Sequence, residues 1–282
     1  MTSTTKHLIT FKIGGVLEIN RLGYGGMQLT GSGVWGDVED RDNAIKLLRQ
    51  AVTSGINFID TADAYGPHTN ETLIADALHP YPKGLVIATK SGLMRTGPSQ
   101  WAVNGKPDYI KNAIEGSLKR LRVEHIDLWQ LHRFDPAVPV EETLAPVVDA
   151  VKAGKIKHVG LSEVGIAQIE RAGKILPIVS VQNKYNMNER QWDEVVDYTA
   201  KRGIAFIPWY PLASGPSKMA DKISSIAAKH NATTAQIALA WLLRRSPNIL
   251  LIPGTKSIEH LQQNIAAGKI ELSGDEFKEL SS

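Results

Sequence analysis

The chain has 282 residues, 43% of them hydrophobic, with 32 Lys plus Arg against 29 Asp plus Glu and a net charge of +3. That charge is too small and too dispersed for a nucleic-acid or anionic-membrane partner, so a small molecule is the expected ligand. No Cys is present, which excludes disulfides, thiolate metal sites and a Cys nucleophile.

The chain starts MTSTTKHLITFKIGG, without an apolar signal core, and no later run approaches the ~18 apolar residues of a spanning helix. A soluble, cytoplasmic monomer without a membrane segment is expected. The stretch ITFKIGGVLEINRLG reads as a short hairpin turning at Gly14 and Gly15. Eight short apolar runs follow: RLGYGGM, NFIDTA, LVIATK, IDLWQLH, HVGLSE, VSVQN, AFIPWY and ILLIPG. Between them apolar residues recur at helical spacing, as in Ala44, Leu47, Leu48 and Ala51, then Ile110, Ala113, Ile114, Ser117 and Leu121. Leu144, Val147, Val148 and Val151, and Trp192, Val195, Val196 and Thr199, repeat the pattern. Pro107 with Asp108 suits a first helical turn. Gly55, Gly154 and Gly203 stand where left-handed caps end helices.

Strands apolar nearly throughout belong to a parallel sheet covered on both faces, and eight βα units predict a (β/α)8 TIM barrel with an N-terminal β-hairpin. Residues 1–282 are read as one such α/β domain. A doubly wound open sheet is the rival, but GYGGMQL does not match the G-x-G-x-x-G of its first turn.

Active sites of this barrel form where strands end at their C-termini. Strand two ends at Asp60, strand three at Lys90 and strand four at His132, and Tyr65 follows Asp60 closely enough to fold back over them. A Tyr hydroxyl beside a Lys ammonium is a proton donor whose pKa, ordinarily about 10, a cation lowers. Asp60 would hold Lys90 in place and charged, and a neutral His132 would donate a hydrogen bond to a substrate oxygen. Such a set neutralises an oxygen on which negative charge develops, as carbonyl reduction by hydride requires. Proteins supply no hydride, so a cofactor is implied. Asp63 is read as a turn or support residue, and no metal site is read.

DTADAYG with Asp60 and Tyr65, TK with Lys90, LHR with His132, VGLS at 159–162, VQNKYN at 181–186 and IPGTKSIEHLQQN at 252–264 together resemble the aldo-keto reductases. The resemblance implies NADPH-dependent reduction of aldehydes and ketones, with NADH as a possible substitute and a catalytic tetrad at Asp60, Tyr65, Lys90 and His132. It places Ser162 and Gln182 on the nicotinamide carboxamide. Beside them, Glu163 stands where many members have Asn, and a Glu accepts but does not donate. Trp209 would stack under the nicotinamide, followed by Tyr210, Leu212, Ser214 and Gly215 along the pyrophosphate. Gly254, Thr255, Lys256, His260, Gln263 and Asn264 fall where adenosine and its 2′-phosphate bind. Many relatives carry Lys in place of Gly254 and Arg in place of His260, so two cationic contacts are missing here. Lys256 and a helix N-terminus remain for the phosphate.

Substrate contacts are expected from Met27, Trp35, Trp101 in the 92–106 loop, and 213–217, in an open pocket above a short C-terminal tail. Two other functions fit parts of the pattern. One is a lyase using Lys90 as a Schiff base, which leaves Tyr65, Trp209 and 252–264 without a purpose. The other is a nucleotide-binding redox sensor or regulatory barrel with little turnover.

Overall fold

The computed structural model describes residues 10–212 and 220–282. An antiparallel hairpin comes first, β1 (Thr10–Ile13) and β2 (Leu17–Asn20). Its turn uses Gly14 and Gly15 at φ of 58° and 77°, the left-handed region that costs glycine nothing. Ile13 and Ile19 are fully buried and pack with Phe58, Val86, Leu128 and Ala205. Those partners lie at or near the beginnings of barrel strands, so the hairpin plugs that end and leaves the other open.

The barrel strands β3 (Tyr24–Gly25), β4 (Phe58–Asp60) and β5 (Val86–Ser91) precede a second hairpin, β6 (Leu93–Gly97) with β7 (Gln100–Val103). After it come β8 (Ile126–Leu131), β9 (Ile156–Ser162), β10 (Ile178–Gln182) and β11 (Ala205–Phe206). The sheet runs β3, β4, β5, β8, β9, β10, β11, every pair parallel. The eighth apolar run closes the ring with isolated bridges rather than a long strand. Phe206 N donates to Asn248 O and Leu250 N to Phe206 O on one side, and Leu251 N donates to Arg21 O and Gly23 N to Leu251 O on the other, at 2.7 to 2.9 Å. Buried Arg21 ties this seam down, donating to the carbonyls of Ile249, Leu243 and Ser246. Backbones meet so closely here that a Cβ at Gly25 would stand 2.5 Å from Ile252 O, which only Gly avoids.

Ten α-helices cover the sheet: α1 (Arg41–Thr53), α2 (Thr69–Leu78), α3 (Pro107–Leu121), α4 (Val140–Lys152), α5 (Ile166–Gly173), α6 (Asp193–Lys201), α7 (Ala220–Lys229), α8 (Thr234–Arg245), α9 (Ile258–Ala266) and α10 (Gly274–Ser281), counted among the described residues. The apolar stripe Ala44, Leu47, Leu48 and Ala51 of α1 is buried, as are Ile110, Ile114 and Leu121 of α3. Each buried Leu or Ile contributes roughly 1.5–3 kcal/mol. Pro107 begins α3, and Gly55, Gly154 and Gly203, just past α1, α4 and α6, have φ of 97°, 74° and 65°. The 92–106 segment, expected as a loop, is mostly the β6–β7 hairpin. No helix among the described residues is long and apolar enough to cross a membrane.

Candidate active site

Consecutive parallel strands bring their ends to one rim. Asp60 ends β4, Lys90 is the penultimate residue of β5, His132 follows β8, Ser162 ends β9 and Gln182 ends β10. At the centre lies a buried ion pair, Lys90 Nζ to Asp60 Oδ1 at 2.6 Å. Lys90 also donates to Thr61 O at 2.7 Å and to Tyr65 Oη at 3.3 Å, so its three N–H groups are all used. The second carboxylate oxygen of Asp60 accepts from Gln182 Nε2 at 2.8 Å and Gln130 Nε2 at 3.3 Å. A buried charge pair this well satisfied keeps both ions in place.

Tyr65 reaches Lys90 because the chain after β4 turns back at once. Asp63 N donates to Lys90 O, Tyr65 N to Ala62 O and His68 N to Asp63 O. Buried Asn70 braces the same turn, accepting from Thr61 Oγ1 and donating to Gly26 O and Leu29 O. Since Tyr65 Oη accepts from Lys90, its own proton is free to point elsewhere. His132 stands edge-on to Tyr65 with ring centroids 6.1 Å apart, and its buried Nδ1 has no partner among the described residues.

The electrostatics differ in one respect from the sequence expectation. Burial raises the Tyr65 pKa above the ordinary 10.0, and the charges of Lys90 and Arg133 only partly pull it back. Tyr65 is therefore a fully protonated hydroxyl at neutral pH, not one brought near ionisation. Burial also opposes the charge on Lys90, but Asp60 and Tyr65 outweigh it and raise the Lys90 pKa. Burial, then the charges of Lys90 and Arg133, holds His132 well below the usual histidine value, so its imidazole is neutral. Asp63 is buried beneath the turn, where burial and then Glu71 push its carboxyl well up, and Tyr109 Oη donates to it at 3.3 Å. Its backbone bonds to Lys90 O and His68 N within the turn.

Beside these groups is a shelf built from β9, β10 and the segment after β11. Arg133 Nη1 donates to Ser162 Oγ at 2.9 Å and to His132 O at 2.6 Å. Glu163, held at φ 55°, accepts at Oε1 from Trp209 Nε1 at 2.6 Å and Lys184 N at 2.5 Å. Glu163 thus fixes the indole of Trp209, and Lys184 lies 5.5 Å from the ring of Tyr210, which is exposed. With Nε2 on Asp60, Gln182 presents Oε1 as an acceptor. With a lone pair taken by Arg133, Ser162 presents its O–H as a donor. One acceptor and one donor beside a braced aromatic face fit a nicotinamide and its carboxamide.

Further along, Gly254, Thr255 and Lys256 precede α9, and His260, Gln263 and Asn264 lie on it. Thr255 and Asn264 are buried, and Lys256 and His260 are exposed. Tyr24 Oη donates to Thr255 O at 2.6 Å, and Ser257 caps the helix by accepting from His260 N. Leu212 is half-buried. Ser214 and Gly215, and the 213–217 loop with them, lie outside the described residues. Gln130 and Arg133 went unassigned from the sequence. Gln130 had a signal, an amide at the apolar end of its strand, but Arg133, which follows His132, had none that fixed its direction.

Met27, Trp35 and Trp101 are among the exposed large hydrophobics, at 42%, 36% and 40%. Arg95 binds the two tryptophan-bearing loops together. It donates to Val34 O and Gly33 O at 2.6 Å, to Gln100 O at 2.9 Å and to Gly97 O at 3.2 Å, and stacks 3.7 Å from the Trp101 ring. A longer bond of 3.5 Å reaches Ala64 O, next to Tyr65. Arg95→Ala will free the β6–β7 hairpin and raise KM for substrate about tenfold, with kcat changed far less, in steady-state kinetics. An unchanged KM would show that this wall does not contact substrate.

The sequence matches the Aldo/keto reductase family over residues 21–282. It is 43% identical over 270 residues to pyridoxine 4-dehydrogenase of Escherichia coli, covering 94% of each chain. An uncharacterised oxidoreductase of Schizosaccharomyces pombe is 46% identical, with 96% of this chain and 88% of that one covered. The fold superposes on a crystal structure of a thermostable aldo-keto reductase in complex with the inhibitor epalrestat at a TM-score of 0.86 and 31% identity, covering 96% and 98% of the two chains. An aldo-keto reductase of Klebsiella pneumoniae in complex with NADPH gives 0.82 and 25%, covering 96% and 93%.

Proposed function

Because the chain belongs to the aldo/keto reductase family, we propose that it reduces aldehydes or ketones to alcohols with NADPH, Tyr65 serving as general acid. It is an NAD(P)H-dependent oxidoreductase acting on small carbonyl compounds. The observation that carries the finer reading is the buried chain Asp60–Lys90–Tyr65 with a neutral His132 facing it.

A bound reduced nicotinamide supplies the hydride. Ser162, Gln182 and the face of Trp209 would hold its ring, and Glu163 keeps that indole from turning. His132 donates a hydrogen bond to the substrate oxygen and orients the carbonyl. As negative charge grows on that oxygen, Tyr65 transfers its proton there, and the adjacent Lys90 ammonium stabilises the phenolate left behind. Asp60 holds Lys90 in place, and Gln182 and Gln130 hold Asp60. A bound 2′-phosphate would meet Lys256 and the first turn of α9. We read residues 1–282 as one barrel domain working as a cytoplasmic monomer.

The name of the Escherichia coli relative and the exposed indoles of Trp35 and Trp101 favour a flat aromatic aldehyde. The test is loss of reduced-nicotinamide absorbance with NADPH and, separately, NADH, against pyridoxal, benzaldehydes, aliphatic aldehydes and dicarbonyls. Turnover with NADPH, preferred over NADH, supports the reading. Nucleotide binding without turnover of any carbonyl would replace it with a regulatory barrel. A Schiff base at Lys90 is disfavoured, because that chemistry needs a neutral, reachable amine and this one is fully buried and charged.

A further inference from the structure

Arg133 has a placement that the tetrad does not explain. It is half-buried on the rim next to His132, and only Nη1 of its guanidinium has protein partners among the described residues, Ser162 Oγ and His132 O. A guanidinium carries five N–H groups, so Nε and Nη2 remain to donate at the shelf. Its Cζ lies 5.8 Å from the Trp209 ring centroid, and burial lowers its pKa while the carboxylate of Glu163 partly offsets that loss. Glu163 cannot replace it as a donor, since a carboxylate only accepts, and its Oε1 is held by Trp209 Nε1 and Lys184 N. Around Ser162 the shelf has Gln182 Oε1 as an acceptor, and its donors depend on Arg133.

We propose that Arg133 positions the nicotinamide end of the cofactor. It turns the Ser162 hydroxyl into a hydrogen-bond donor and sets its own remaining N–H groups alongside, so that the carboxamide oxygen is held while Gln182 takes the amide N–H. Ring rotation is thereby limited to one orientation over Trp209. This inference rests on the nicotinamide-dependent reading above, and it gives the shelf a cation that the sequence pattern did not assign.

The test compares two ligands by isothermal titration calorimetry on the wild type and Arg133→Met, which keeps an aliphatic stem of similar reach. NADP+ carries the carboxamide, whereas 2′,5′-ADP carries only the adenosine end, bound near α9. The expected result is an NADP+ Kd raised about tenfold, the effect of one good hydrogen bond to a charged group, with the 2′,5′-ADP Kd unchanged. An unchanged NADP+ Kd overturns the proposal, and so does a parallel loss for both ligands in a variant whose melting temperature is unaltered. Should Arg133→Met not fold, Arg133→Lys is read by the same pair of titrations. Failure of the wild type to bind either ligand would instead overturn the reductase reading itself.

Discussion

Tyr65→Phe will lower kcat for carbonyl reduction by about 100-fold or more while leaving cofactor affinity within a factor of two or three, because a positioned general acid is worth roughly that much. The substitution removes one hydroxyl from a buried ring and leaves the ring's packing intact. Its local cost is limited to the 3.3 Å bond from Lys90, which still has Asp60 and Thr61 as partners. Activity within tenfold of the wild type would assign the proton to another group, with His132 the nearest alternative. The pH profile sharpens the test. Tyr65 acts in its protonated form, and burial raises its pKa above the ordinary 10.0. In the free enzyme, kcat/KM for reduction should stay flat through neutral pH and fall only as the solution becomes alkaline enough to ionise Tyr65.

Lys90→Met will abolish the same activity and, independently, destabilise the fold by roughly 3–5 kcal/mol, the cost of leaving a buried partner charge uncompensated. Asp60 would keep Gln182 and Gln130 but lose its cation, in a site where neither member of the pair is more than slightly exposed. For a chain of this length the melting temperature should drop by on the order of 10 °C. The sign of the pH dependence follows from the raised Lys90 pKa. Its stabilisation is complete below the unfolded value of 10.5 and is lost as pH rises through the folded one, so the full difference between variant and wild type is visible at neutral pH. Adding Asp60→Asn should restore most of the stability and none of the activity. A single variant that melts with the wild type would mean that Lys90 and Asp60 are not coupled in solution.

Much of the barrel and its rim was legible in the sequence by itself. Continuous apolar runs such as LVIATK mark strands buried on both faces, stripes such as Ala44, Leu47, Leu48 and Ala51 mark helices, and Gly55, Gly154 and Gly203 mark where helices end. These are local signals, each set by burial or backbone sterics within a few residues. Asp60, Lys90 and His132 were legible for a related reason: a parallel barrel carries every strand end to the same rim, so position along the chain becomes position in space.

The tertiary structure alone decided what depends on contacts between distant segments. The first and eighth apolar runs meet through backbone bonds at Arg21, Gly23 and Leu251, a pairing that neither run by itself specifies. Arg95 binds carbonyls more than 60 residues away, and Arg133 turns toward Ser162, 29 residues on. Side-chain direction is set by the partners that surround it, and these are assembled only once the chain has closed. The Tyr65 pKa shows the same limit. The sequence supplied the neighbouring cation, but the depth of burial, which outweighs that cation, is a property of the whole packed barrel.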